Sequence, residues 1–374
     1  MTATKVNTAA KDWLLGLLKG VAPGSNGGIF FADTQELLDI CEYEGVTPLL
    51  WHQILVNDLK PSLPPGLTAK LQALSLQYAA VNMLRQQELQ RLIKLFHCEG
   101  LDFLILKGEA LAVTCYPQPH LRTRADSDLL FSSKDAAEKA WQLLNLEGYQ
   151  RFATLQGEFV GFQFPCQKTL VSGVSNNLDI HHKITNALWF AQRLDYVELK
   201  ENSIGADYMG QPVSVLNPLY ALIHACIHRT SNKSHETENR LIWLYDIHLL
   251  SGKLTLADWQ KLLQICEEKN FAAIILEGLT STAEAFGDNT PEIIVEHLAA
   301  LANRQHAPIV NADSRLKHYL LDLSTHKGIK NNLRFLKEQL LPPPAYVTMK
   351  YGVKHKILLP WYYLKRVVDV IFKK

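Results

Sequence analysis

Between Leu104 and Phe131 the chain runs through I-L-K-G-E-A-L-A to L-R-T-R-A-D-S-D-L-L-F, and this stretch restricts the fold more than any other. The apolar run from Phe103 to Leu106 stops at Lys107-Gly108, which predicts a strand over 101–107 and a short helix over 109–115. A second apolar run begins at two acids, Asp126 and Asp128, and predicts a strand over 126–131. Strand side chains alternate, so both carboxylates leave one face, about 7 Å apart at their Cα atoms. Such a pair suits a hard divalent cation. The turn upstream presents free backbone N–H groups, and Lys107 adds a positive charge, so it suits an anion. Carboxylates for magnesium beside a turn for phosphate predict a nucleotide site.

The rest of the chain arranges itself around this segment. Residues 1–97 read as a helical region. Trp13, Leu14, Leu17 and Leu18 recur at helical spacing, as do Leu37, Leu38 and Cys41. Lys60 to Gly66 is a stiff connection, and Leu89, Leu92, Ile93 and Phe96 form an i, i+3, i+4, i+7 stripe stopped by Gly100. Residues 98–216 read as the α/β core. Ser132 is expected to cap a helix carrying Trp141 and Leu144, and strands are expected near 149–154, 158–165 and 168–173. The segment Asn177 to Ile184, N-L-D-I-H-H-K-I, alternates so that Asp179 and His181 share a face. Asn186 is expected to cap a helix over 187–200, and Gly205 to Gly210 to form a turn. Asn217-Pro218 opens a C-terminal helical domain over 217–341, and Pro342-Pro343-Pro344 sets off a basic, aromatic tail over 342–374.

Composition narrows the chemistry. A net charge of +1 gives no overall pull toward nucleic acid, and no basic stripe interleaved with aromatics accompanies the acids. The six cysteines lack C-x-x-C spacing, so reduced, buried thiols are expected and structural zinc is not. No signal peptide and no apolar run of about 20 residues is seen, so the expected address is the cytoplasm, with contact at the inner membrane as an addition.

These residues resemble a known superfamily. The order strand, K-G turn, helix, D-x-D strand and a later acid-bearing strand resembles the DNA polymerase beta-type nucleotidyltransferase fold. More narrowly, L-K-G-E-A-L-A, Y-P, L-R-x-x-x-D-x-D-L-L, then L-D-I-H-H, then R-L-I-W-L-Y-D-I-H-L-L are similar to the bacterial uncharacterised nucleotidyltransferase family, over roughly residues 35–260. The resemblance implies an α+β fold: a small mixed sheet with flanking helices, embedded in N- and C-terminal helical regions. It implies that Asp126, Asp128 and Asp179 are the catalytic, metal-holding acids. It implies also that Gly108 lies in the phosphate turn and that Arg122 is the family arginine four residues before the first acid. Lys107-Gly108 stands where most superfamily members have Gly-Ser, so the serine hydroxyl that touches phosphate is missing and Glu109 follows instead. Ala125 replaces a common glycine.

On this reading, two magnesium ions join Asp126, Asp128 and Asp179, and an NMP, AMP favoured, passes from an NTP to a hydroxyl of a small molecule, sugar or protein. Lys107, Arg122, Arg124 and His181 are the expected phosphate and substrate contacts. The alternative is a degenerate module of the same fold that binds nucleotide or a partner without turnover. His224 and His228, spaced i, i+4, read as packing residues rather than zinc ligands. Arg240 and Asp246 are expected to form an internal ion pair, with base or ribose contact as the other reading. The tail is expected to dock through Val367, Val368 and Ile371, against the alternative of weak peripheral contact with an anionic membrane through residues 345–374.

Overall fold

The computed structural model describes residues 8–22, 34–233, 236–287, 289–305, 315–326 and 328–372. Four helices come first: α1 (Thr8–Leu18), α2 (Thr34–Glu44), α3 (Thr47–Val56) and the 34-residue α4 (Pro65–Cys98). The core follows as β1 (Phe103–Leu106), α5 (Lys107–Thr114), β2 (Ser127–Phe131), α6 (Lys134–Leu146), β3 (Gln150–Arg151), β4 (Gln163–Thr169), β5 (Ser175–His181), α7 (Leu188–Ala191), α8 (Tyr196–Glu201), β6 (Ser203–Tyr208) and β7 (Gln211–Leu216). Then come α9 (Pro218–Ser231), α10 (Leu241–Ser251), α11 (Leu256–Lys269), α12 (Ala272–Phe286), α13 (Glu292–Arg304), α14 (Arg315–Thr325), α15 (Ile329–Leu340), α16 (Pro344–Tyr351) and α17 (Leu359–Phe372).

The architecture is α+β, with helices on both faces of one seven-stranded sheet in the order β3-β4-β5-β2-β1-β7-β6. The sheet is mixed: β1 runs antiparallel to β2 but parallel to β7, and β2 runs parallel to β5. Alternation assigns the faces. Phe103, Ile105, Leu129, Phe131, Leu178 and Ile180 point to a core completed by α6 and by the Leu89, Leu92, Ile93, Phe96 stripe of α4. Phe96 meets Phe103 and Phe131 edge-on, with ring centroids 5.7 and 5.5 Å apart, a geometry aromatic quadrupoles favour. Leu104, Leu106 and Leu130 point the other way, into a larger cluster shared by α1–α3 and α9–α14. The register sets Leu106 opposite Asp128, so the acid projects toward that second, helical side.

Several local expectations are corrected. Ser133, not Ser132, caps α6, because its hydroxyl accepts from the Ala136 N–H at 3.1 Å. Asn186 does not open a helix; its side chain accepts from the Phe162 N–H, and the predicted 187–200 helix is split into α7 and α8, the latter capped by Asp195. Gly205 lies within β6, whose turn to β7 falls at Met209-Gly210, both at positive φ. The strands expected near 149–154, 158–165 and 168–173 are realised as the two-residue β3 and the long β4. Asn217 does cap α9, accepting from Tyr220 N. All six cysteines are free, with Cys98 exposed, Cys115 half-buried and the other four buried.

Asp246 ties α10 to the loop before β2, and its partner is Arg122 rather than the expected Arg240. Arg122 Nε lies 2.8 Å from Oδ1 and Nη2 lies 2.7 Å from Oδ2, while the Tyr116 hydroxyl donates to Oδ1 at 2.8 Å. All three residues are buried. Removing one member of a buried ion pair leaves an uncompensated charge. Asp246→Ala should therefore cost about 3–5 kcal/mol in urea unfolding; a loss under about 1 kcal/mol would show that solvent reaches Arg122 and that this junction is not held by the pair.

Candidate active site

β2 and β5 lie side by side in parallel, with Asp128 registered on Asp179 and Leu130 on His181. Two strands thus deliver two carboxylates and an imidazole to one face. His181 Nε2 lies 2.9 Å from Asp128 Oδ1, and Gln163 Nε2 donates to Asp179 Oδ2 at 3.1 Å. Donor atoms of Asp128, Asp179 and His181 all lie within 4.8 Å of one another, the one such metal-capable group found among the described residues. Asp126 stands outside that tight group. It lines the cavity with Asp128 and shares the electrostatic field of both other acids.

The cavity has a volume of about 550 Å³ and opens between three parts of the chain. The sheet side contributes Lys107, Gly108, Asp126 and Asp128. Tyr78 and Arg85 of α4, His224 and His228 of α9, and Arg240 and Trp243 at the start of α10 complete the wall.

Lys107 sits directly after β1 with φ +50°, the left-handed region that a lysine rarely adopts. That turn aims its ammonium at Asp128 Oδ1, 2.6 Å away. Gly108 packs closely here: a Cβ there would lie 3.3 Å from the Arg122 guanidinium carbon, so the guanidinium would have to shift by a few tenths of an ångström. Glu109, awkward beside phosphate in the sequence, turns inward and is buried. It accepts from Arg124 Nε at 2.5 Å, Arg124 Nη2 at 2.6 Å, Ser127 Oγ at 2.7 Å and the Tyr208 hydroxyl at 2.7 Å. Both arginines expected at phosphate are thus engaged by buried carboxylates, Arg122 by Asp246 and Arg124 by Glu109. They hold the acid-bearing loop in place.

Two other cations face the cavity without a carboxylate partner within salt-bridge distance among the described residues. Arg85 spends its Nε and Nη1 on the carbonyls of Ser175 and Arg124, both at 3.0 Å. Arg240 has a buried Nε with no hydrogen-bond partner among the described residues, and its guanidinium lies 5.3 Å from the Trp243 ring centroid. Gly45, at φ +72°, lets the α2–α3 turn approach Arg240 and Thr123: a Cβ there would meet Arg240 Nη2 at 3.1 Å and Thr123 Oγ1 at 3.0 Å. Thr123 Oγ1 donates to the Gly45 carbonyl at 2.5 Å, which sets Arg240 beside the loop leading to Asp126. Arg85 carried no signal in the sequence, being one polar residue in a long helix; Arg240 was visible only as half of a pair it does not form.

Charge is unbalanced here. Burial, then the charges of Asp128 and Asp179, push Asp126 up to about 7 against the pull of Lys107. Asp179 is also raised, by burial first and by Asp128 in addition. Asp128 goes the other way: burial opposes ionisation, but Lys107 and His181 outweigh it and hold the carboxyl well below its usual range. Three acids of which one alone is hydrogen-bonded to an ammonium make a donor set that fits a hard divalent cation, which Asp128 and Asp179 would hold with Asp126 adjoining. His224 and His228 belong to no metal-capable group among the described residues; burial pulls His224 down to about 3 and His228 well below its ordinary value, which favours the neutral imidazole at both.

The chain belongs to the family described as uncharacterised nucleotidyltransferases, whose model matches residues 32–287. No curated protein matches the chain. Among solved structures, it is similar to an antigenic nucleotidyltransferase-like protein from Paracoccidioides brasiliensis at 14% identity and TM-score 0.35, covering 51% of this chain and 91% of that one.

The raised Asp126 has a measurable consequence. An acid whose folded pKa, about 7, exceeds its ordinary value of 3.8 favours the fold at low pH, and that contribution is lost as pH rises between those values. In chelator, Asp126→Asn should therefore be more stable than wild type by roughly 1–3 kcal/mol at pH 8, and equal to it near pH 4. Thermal unfolding across that range checks this; parallel curves for the two proteins would show that Asp126 is not held under repulsion.

Proposed function

We propose that this protein is a magnesium-dependent nucleotidyltransferase of the polymerase beta type, moving an NMP, AMP favoured, from an NTP to a hydroxyl on a small-molecule, sugar or protein acceptor. The observation that carries this reading is the placement of Asp128 directly across from Asp179 on parallel strands, beside Asp126, at the edge of a cleft large enough for a nucleotide.

Asp128 and Asp179 would hold magnesium, with Asp126 completing the acid set, and the ion when bound would supply charge neutralisation for phosphate oxygens and acidify the acceptor hydroxyl. His181 positions Asp128 through its 2.9 Å contact. Asp179, whose pKa is raised, suits the role of taking the acceptor proton. The acceptor oxygen bonds to the α-phosphorus while the bond to the pyrophosphate oxygen breaks in line. Lys107 and the turn at Gly108 would meet the phosphates. Arg85 and Arg240, rather than Arg122 and Arg124, are the guanidinium groups with capacity left for a triphosphate. Trp243 and Tyr78, on the cavity wall, offer ring faces to a base.

A second reading, a binding module without turnover, is favoured by one contact: the Lys107 ammonium already occupies Asp128 Oδ1 at 2.6 Å. The two separate in a paired experiment. Isothermal titration with each NTP, with and without magnesium, measures binding; pyrophosphate release in the presence of cell extract measures transfer. Transfer is expected, and Asp126→Asn plus Asp128→Asn should reduce it by at least about a hundredfold while the protein stays folded. Unchanged release in the double variant would reject the acid assignment. Tight magnesium-linked binding with no pyrophosphate from any acceptor would establish the module instead.

A further inference from the structure

The tail docks, but by residues other than those expected. Arg366 is buried and its Nε donates to the Gln339 carbonyl of α15 at 2.7 Å; the Tyr363 hydroxyl donates to the Pro342 carbonyl at 2.7 Å. Val347 and Val353 are buried beneath. Of the residues expected to dock, Val368 is exposed, Val367 is half-buried, and the Ile371 side chain, like Lys373 and Lys374, lies outside the described residues.

Residues 361, 364 and 368 fall on the helix face opposite 363 and 366, since successive residues turn by about 100°. That face carries Trp361, Leu364 and Val368, which are 66%, 63% and 53% exposed. The turn just before α17 adds Ile357 at 86% and Leu358 at 44%. Around them stand Lys354, Lys356 and Lys365, all exposed, and Lys350 on α16. Residues 345–374 hold seven Lys and Arg against one acid, Asp369. That acid is hydrogen-bonded to the Tyr351 hydroxyl. The rest of the chain is net acidic at −5, since the whole carries only +1 and this segment carries +6. The positive charge is therefore concentrated around this apolar face. No described helix is long and apolar enough to cross a membrane.

We propose that α17 and the turn before it form a membrane-surface anchor, laying Ile357, Trp361, Leu364 and Val368 into the interface of an anionic phospholipid bilayer while Lys354, Lys356 and Lys365 meet the headgroups. The charge selects the occupant. A second copy of this basic face would bring like charges together, whereas an anionic headgroup layer complements them. A tryptophan amid aliphatic side chains, with lysines alongside, suits the boundary between headgroup and acyl chain. This inference is independent of the catalytic reading.

The test is co-sedimentation of the full chain with vesicles of phosphatidylcholine alone, or of phosphatidylcholine with roughly a third phosphatidylglycerol. Each headgroup-facing lysine strengthens partitioning by about fivefold, so anionic vesicles should retain the protein at least tenfold better. High salt should weaken that retention. Trp361→Glu with Leu364→Glu, and separately Lys354→Glu with Lys356→Glu, should each bring binding down to the neutral-vesicle level. All four positions are exposed, and unchanged thermal unfolding confirms that the variants fold. Equal retention by both vesicle types, or variants that bind like wild type, would overturn the proposal. So would a wild-type dimer in sedimentation velocity that Trp361→Glu splits while vesicles capture nothing.

Discussion

Parallel pairing of β2 with β5 is the constraint from which the site follows. Its register places Asp128 on Asp179 and Leu130 on His181, so two like charges face each other across neighbouring strands. Opposed like charges weaken a sheet. The pairing persists because both flanks are apolar: Leu129, Phe131, Leu178 and Ile180 are buried on the far face with the Phe96 and Phe103 rings. A slip of one residue would turn every one of those side chains to the wrong side. The hydrophobic face thus fixes the register, and the register forces the carboxylates together. Stability supplied by one face of the sheet is used to hold an unfavourable charge arrangement on the other.

The loop before β2 has to be equally rigid, since Asp126 lies just outside the strand. Two buried carboxylates hold it. Glu109 on α5 gathers Arg124, Ser127 and Tyr208, and Asp246 on α10 gathers Arg122 and Tyr116. One network anchors the loop to α5 and the sheet, and the other anchors it to α10. The cleft between them is therefore bounded by parts whose separation is set by hydrogen-bonded ion pairs rather than by apolar contact alone. Buried arginine forks suit this task, because their planar donors fix direction as well as distance.

How much of this could be read from the residues depended on the range of the interaction. Alternation in F-L-I-L and D-L-L-F gave β1 and β2, and the i, i+3, i+4, i+7 stripe gave the buried face of α4, because both are periodicities of a single element. Placing Asp179 and His181 on one face also needed only alternation. What could not be read was partner choice over long separations. Arg122 and Asp246 are 124 residues apart, and Arg240 was as good a partner for that acid on paper. Nothing local distinguishes an arginine that will be consumed by a buried carboxylate from one left facing a cavity. Arg85 was hidden for the same reason, since its role comes from where the middle of a 34-residue helix passes. Short connections failed differently: 187–200 has helical composition but carries a cap at Asp195 that divides it.

Lys107 shows how these demands meet at one residue. Where the resemblance leads one to expect a serine hydroxyl for phosphate, the chain carries a lysine in a left-handed turn, a conformation that costs a non-glycine residue about 1 kcal/mol. The turn aims the ammonium at Asp128, and the resulting contact, with that of His181, holds Asp128 ionised despite its burial. Among the described residues Asp126 and Asp179 receive no comparable hydrogen-bonded cation, and burial together with the Asp128 charge raises both pKa values. The lysine therefore balances one acid of three and leaves the others short of positive charge. A site so arranged is stable enough to fold with its carboxylates converged, yet retains the unsatisfied field that would draw in a divalent cation and the phosphates accompanying it.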